Sequence, residues 1–297
     1  MPKYCLVLFS VSVLFAASGA TCPRVQEQLL QPAPTPFSGT PTLTEVVAAV
    51  NQNSAAVRQL HTDEATVKIE GVPMSLRANL AIERPRHIRF RADTGLTGAE
   101  MDLGSNNDLF WIWIKQSKPP AVLFARHEQF AQSPVKNMIP IEPDWLVEAL
   151  GLMQLDPNSE LEGPYPYNTD HVEIRQQVRR PSGDITKRIV VHGRYGWIVL
   201  QEVYDAQQRL LASAQASGHQ YDPNHKVSLP RTVDIKLPPA QIAFRLTVNE
   251  FLINQLNAST QLWTMPQING YPPVDLTRVQ PRSADERPLR RLRQPWR

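Results

Sequence analysis

Apolar and polar positions alternate in three successive limbs between Met74 and Ile114. In the first, Met74, Leu76, Ala78, Leu80 and Ile82 point one way and Ser75, Arg77, Asn79 and Glu83 the other, the two-residue period of a half-buried strand. Ile88, Phe90 and Ala92 set against Arg89 and Arg91 repeat it. Arg84-Pro85 separates these limbs, because proline lacks a ladder donor and obliges the chain to bend or to lie at an edge. The third limb, Leu109-Phe-Trp-Ile-Trp-Ile114, is large and apolar on both sides. One face is expected to meet a core and the other something equally apolar.

Around this stretch the periodicity predicts further elements. Thr42 with Glu45 three residues on has capping-box form and opens a helix whose stripe takes in Leu43, Val46, Val47, Val50, Val57 and Leu60. A strand with Ala65, Val67 and Ile69 on one side follows. Residues 121–124 read as a short buried strand, and residues 143–150 as a helix with Trp145, Leu146, Ala149 and Leu150 in its stripe. Turn formers fill residues 156–170. Strands then recur over 171–179, 186–192, 197–205, 209–221, 231–237 and 242–253, with turns at Ser182-Gly183-Asp184 and Ala206-Gln-Gln208. Roughly ten to twelve strands and two or three helices over residues 42–276 predict a mainly β fold with α, within the size of a single domain. The expected architecture is a strongly curved antiparallel sheet, or half-barrel, with helices covering its concave side.

An Arg-Pro step closing one strand (Arg84-Pro85), an aromatic and basic strand (Ile88-Arg-Phe-Arg91), and an aromatic strand opened by Gly104-Ser-Asn-Asn-Asp108 and continuing through Phe110-Trp111-Ile-Trp113 together resemble the LolA/LolB/LppX-like family of periplasmic lipoprotein carriers and lipid-binding proteins. The run from Met74 to Ile114 carries the resemblance, and the order of elements extends it weakly over the rest. It implies a hydrophobic cavity that shields acyl chains, whose burial is worth about 0.8 kcal/mol per CH₂. Leu80, Ile82, Phe90, Trp111, Trp113, Phe124 and Trp145 would line that cavity, and Arg84 would hold a helical lid closed over it. The same apolar residues suit an ordinary packed core. A lipid or lipoprotein carrier or acceptor and an envelope interaction module with a self-filled core therefore both stand open.

Residues 1–21 read as a secretory signal: Lys3 precedes an apolar run from Cys5 to Ala17 that is shorter than the roughly 20 residues of a membrane span. Cleavage after Ala20 competes with a lipobox reading of Gly19-Ala20-Thr21-Cys22, in which Cys22 would be acylated and anchor an exported, periplasmic lipoprotein to the membrane. Cys5 and Cys22 are the two cysteines of the chain, so the mature domain depends on burial and not on an internal disulfide. Residues 22–41 form a proline-rich linker, able as polyproline II to reach about 60 Å. The last twenty residues hold seven arginines against two acids, +5, so that the rest of the chain carries −2 of the whole chain's +3. Residues 277–297 thus read as a basic disordered tail, in which Arg287 to Arg293 either contact anionic lipid or are simply solvated.

The chain shows no phosphate-binding glycine loop, no His-Glu-x-x-His and no Gly-x-Ser-x-Gly. Ser133-Pro-Val-Lys136 has the Ser-x-x-Lys form without its companion motifs, and His87 and His192 lie in strand-like stretches. The sequence therefore reads as a non-enzymatic, monomeric protein with no cofactor, no metal and no nucleic-acid partner. Its partners are expected to be lipid or lipoprotein acyl chains.

Overall fold

The computed structural model of the protein describes residues 32–133, 143–180 and 183–278. The signal segment, Cys5, Cys22, the start of the proline-rich stretch, residues 134–136 of the Ser-x-x-Lys match, Ser182 and the tail from 279, including Arg287 to Arg293, lie outside these residues.

Two meanders make the sheet. The first runs through β1 (Gln59–Ile69), β2 (Ser75–Glu83), β3 (His87–Asp93), β4 (Ala99–Ser105), β5 (Leu109–Ile114) and β6 (Val122–Arg126), each antiparallel to the next. The second runs through β7 (Leu161–Pro166), β8 (His171–Val178), β9 (Ile185–His192), β10 (Ile198–Asp205) and β11 (Leu210–Ser217). A small hairpin of β12 (Gln220–Asp222) and β13 (Val227–Leu229) interrupts it before β14 (Thr232–Leu237) and β15 (Ile242–Val248). β1 joins the halves by pairing with β15, Val67 opposite Leu246 and Ile69 opposite Phe244. β16 (Leu252–Ile253) adds to β1, and β17 (Pro273–Asp275) pairs parallel to β6. The outcome is an extensively curved, antiparallel-dominated sheet of fifteen strands that does not close into a barrel.

Four of these strands go beyond what the hydrophobic pattern announces: β4, β7, β13 and β17. β4 ends in Gly104-Ser105, residues with turn character that nonetheless ladder with Trp111 and Phe110 of β5. β7 contains Pro164 and Pro166 inside the expected loop 156–170. It tolerates them because it is an edge strand, with a bulge between Glu162 and Tyr165 where Gly163 sits at φ 111.

Helix α1 (Leu43–Ala55) opens with the expected capping box, Thr42 Oγ1 accepting from the Glu45 amide and Glu45 Oε2 from the Thr42 amide. It stops well short of Leu60. Asn254 accepts from the Arg58 and Gln59 amides (2.9 and 3.0 Å) and donates to the Ala56 carbonyl (2.9 Å), which turns the chain out of the helix and into β1. Val57 and Leu60 are buried as expected, but in extended chain. Helix α2 (His127–Gln132) follows β6, and α3 (Asp144–Val147) continues as a π-type turn over Glu148–Leu152, closed by Gly151 at φ 83.

α1 and the 144–152 segment lie on one face of the sheet, here called inner. Val46, Val47 and Val50 of α1 pack against Val172, Ile174, Ile189, Val191 and Ile198, and Phe37 from the proline-rich stretch joins them. Trp145, Ala149, Leu150 and Leu152 pack against β1–β3 and β14–β15. The folded region therefore reaches back to Phe37, five residues into the expected linker.

At one end of the β9–β10 hairpin, Tyr195, Trp197 and His219 stack face to face, with centroids 4.4 and 4.7 Å apart. Burial, opposed by a hydrogen bond with the Ile198 backbone, pulls the His219 pKa from 6.5 down to about 4. The unfolded chain therefore takes a proton between pH 6.5 and 4 that the folded chain refuses, so stability is complete above 6.5 and declines as pH falls toward 4. Chemical denaturation across this window is expected to show a loss on the order of 2–3 kcal/mol, and His219→Phe is expected to flatten most of it.

Candidate functional site

The Arg84-Pro85 step forms the turn between β2 and β3, and it aims Arg84 at the end of α1. Arg84 Nη1 donates to the Ser54 carbonyl (2.8 Å), to Ser54 Oγ (3.0 Å) and to the Val57 carbonyl (3.3 Å). Ser54 Oγ in turn donates to the Leu152 carbonyl (2.9 Å). One guanidinium thus joins the β2–β3 turn, the C-terminus of α1 and, through Ser54, the segment carrying Trp145 to Leu152. The last turn of α1 has no basic residue of its own, so Arg84 also supplies the cation that its carbonyl end favours. Partial burial lowers the Arg84 pKa from its ordinary value.

Strand parity divides the seven residues expected to line one cavity. Leu80, Ile82, Phe90 and Trp145 come together in the inner-face core with Leu150 and Leu152. Trp111, Trp113 and the partly buried Phe124 lie on the opposite, outer face, in a separate cluster with Val122, Met265, Ile268 and Tyr271. Phe90 stands opposite Leu103, and Leu103 opposite Ile112, so Ile112 and not Trp111 continues the inner face across β5. Leu123 of β6 completes the row. Along it burial falls: Phe90 is buried, whereas Leu103, Ile112 and Leu123 are only half-buried.

The neighbouring row ends in the open. It runs from buried Ala92 to half-buried Met101 and to Ile114, which is 38% exposed. At the same end of the sheet lie Met74 (49% exposed), Ile242 (38%) and Leu96 (90%). Leu96 tips the β3–β4 turn between Gly95 and Gly98, both at positive φ. The inner face thus passes from a closed core under the helices to an apolar strip and then to an apolar rim. Met101, Leu103, Ile112, Ile114 and Leu123 were the residues to seek, and counting by two from Phe90 across the hairpins finds them.

The outer face of the same strands is closed differently. Asp102, buried, accepts from Arg89 Nη2 (2.5 Å), Arg91 Nε (3.2 Å) and Trp111 Nε1 (3.1 Å). Arg89 stacks over the Trp111 ring at 4.9 Å and donates through Nη1 to the Leu262 and Thr264 carbonyls (3.0 and 2.8 Å). This draws residues 260–271 over the tryptophans, where Tyr271 meets Trp113 edge-on and bonds the Lys115 carbonyl. Burial lowers the Arg89 pKa, opposed by Asp102. Among the described residues no group of three or more His, Cys, Asp or Glu side chains is placed to hold a metal ion, and no helix is long and apolar enough to cross a membrane.

No family model and no curated protein matches the sequence. Solved structures do match the fold. A DUF1329 family protein from Desulfovibrio piger aligns over 74% of this chain and 96% of its own, at 8% identity and a TM-score of 0.50. An outer membrane lipoprotein-sorting protein domain from Vibrio parahaemolyticus aligns over 72% and 94% (10% identity, TM-score 0.48). A LolA superfamily protein from Nitrosomonas europaea aligns over 74% and 97% (8% identity, TM-score 0.43). At these identities the likeness is one of fold.

Gly104 marks how tightly the outer cluster is packed. A Cβ there would stand 2.0 Å from Cζ2 of Trp111, whose side chain is fully buried and pinned by Asp102. Gly104→Ala is expected to lower the free energy of unfolding by about 3 kcal/mol in chemical denaturation. Adding Trp111→Leu to it is expected to cost less than the two single changes together, since the smaller side chain clears the clash.

Proposed function

We propose that this chain is a non-enzymatic cell-envelope protein that binds the acyl chains of lipids or lipoproteins on the inner face of its sheet, in the manner of a lipoprotein carrier or acceptor. The observation that carries this is the inner apolar row, Phe90, Leu103, Ile112 and Leu123, which begins beneath the helices and is left half-open toward an exposed apolar rim. A core needs no such gradient. An acyl chain laid along the strip would complete the burial of these side chains, gaining about 0.8 kcal/mol per CH₂. Leu80, Ile82, Phe90 and Trp145 form the closed end of the site in this reading, and Arg84 sets how firmly the helical cover is held. The rim of Met74, Leu96, Ile114 and Ile242 would face the membrane or a lipidated partner.

The same proposal extends to location and to the two ends of the chain. The protein is exported to the periplasm and acts as a monomer, Cys22 is acylated and anchors it to the membrane, and the arginines of residues 277–297 contact anionic lipid. A second reading is favoured by the way Trp145, Leu150 and Leu152 fill the inner face over β1–β3: a membrane-anchored interaction module whose core is its own.

Two measurements separate them. The carrier reading expects an apolar fluorescent probe to bind saturably, long-chain fatty acids to displace it, and native mass spectrometry of the protein from its host to reveal co-purified lipid. Ile112→Asp is expected to weaken probe binding by tenfold or more, because an ionised carboxylate in the strip opposes burial of hydrocarbon. Arg84→Leu is expected to alter ligand retention by freeing the end of α1, with a stability loss of about 1–3 kcal/mol from the buried acceptors it leaves. Absence of saturable binding, with Ile112→Asp and the parent protein indistinguishable, would leave the interaction module standing.

A further inference from the structure

A groove of about 530 Å³ opens on the outer face of β1–β3, on the opposite side of the sheet from the acyl strip. Its floor is two rows of the ladder. His61, Ala81 and Arg89 stand in one, and Asn79 and Arg91 are paired in the next, with Arg77 and Asp93 beyond. Ala81 is the small residue that makes the depression. Leu256 and Leu262, from the segment that Arg89 draws across the sheet, form an apolar wall.

The acceptors and donors in this groove are unequally used. Asp63 is occupied by Asn79 (2.8 Å) and His61 (3.1 Å). Asp93 Oδ1 takes Arg77 and the Gly95 amide. Asp102, beneath the floor, takes three donors. On the donor side, Arg91 donates through Nε alone among the described residues, and its side chain is 51% exposed. Arg89 is 2% exposed, and its buried Nε has no hydrogen-bond partner among the described residues. Each carboxylate already accepts from donors within the site, whereas the exposed Arg91 guanidinium keeps N–H groups without an acceptor among the described residues, which favours a ligand that brings acceptors and negative charge.

We propose that this groove is a second binding site, for a small amphiphilic oxyanion: a phosphate or carboxylate carried on a short apolar group. The anion would lie against Arg91 over Arg89, and the apolar group would lie along Leu256 and Leu262. Such a ligand differs from an acyl chain in needing a charge, and it sits on the other face of the sheet.

The test uses ¹⁵N-labelled full-length protein, read through the arginine Nε–Hε resonances, titrated with hexyl phosphate, inorganic phosphate and hexanol. Hexyl phosphate is expected to shift the Arg91 and Arg89 signals saturably, inorganic phosphate to shift the same signals several-fold more weakly, and hexanol to leave them in place. Arg91→Gln is expected to weaken hexyl phosphate binding about tenfold or more with the thermal midpoint little changed, and Arg91→Lys to weaken it less. Arg84→Leu, which disturbs the helical cover of the inner face, is expected to leave this binding unaltered, so that failure here and failure of the acyl-chain reading are distinguishable. No saturable shift with hexyl phosphate, equal binding by Arg91→Gln, equal affinity for inorganic phosphate, or the same shifts with hexanol would each overturn the proposal.

Discussion

β1 holds the molecule together. Among the described strands it is the one that bonds both meanders, β2 on one side and β15 on the other, and Val67 sits between Leu76 and Leu246 in a single row. That pairing brings together residues close to 180 positions apart, so it comes at a large loop-closure cost that has to be met by side-chain burial across the whole inner face. Asn254 and the short β16 reinforce the same strand at its start. A chain without an internal disulfide in its folded region has no covalent substitute for this seam.

A sheet this wide has two faces, and the sequence covers them by different means. The inner face is covered by helices, tied to the strands through Arg84 and Ser54, through Lys187 and Gln201 to Glu148, and through Asn53 to Ser228, and packed on them by the valines of α1. The outer face of β3–β6 is covered by residues 260–271, pinned through a buried Arg89–Asp102 pair and a tryptophan. Buried ion pairs contribute little net stability compared with apolar packing, but removing one partner is costly, which favours a fixed geometry.

Much of this was legible in the chain. The period-two limbs from Leu76 to Ile114 gave β2, β3 and β5, the capping box gave the start of α1, and the Arg-Pro step pointed to Arg84 as the residue that meets the helices. What was not legible depended on distant partners. The end of α1 is set by Asn254, some two hundred residues away, and the hydrophobic stripe alone runs on through Leu60. Leu80, Ile82, Phe90 and Trp145 do come together on the inner face, whereas Trp111, Trp113 and Phe124 do not. Trp111 and Trp113 are the largest apolar side chains in the third limb, and the family resemblance assigned them to a cavity with Phe90, but strand parity sends them to the outer face. The smaller Ile112 and Ile114 are the ones that share the inner face, and nothing in their own identity marks them.

The burial of Phe37 against α1 and β10 changes the arithmetic of attachment. Were Cys22 the anchor, the fifteen peptide steps from it to Phe37 could span at most roughly 50 Å. A domain confined to a hemisphere of that radius sees a membrane-bound partner at an effective concentration on the order of millimolar. Contacts too weak to survive in free solution, such as those of a few apolar side chains at the sheet's rim, would then be occupied for much of the time.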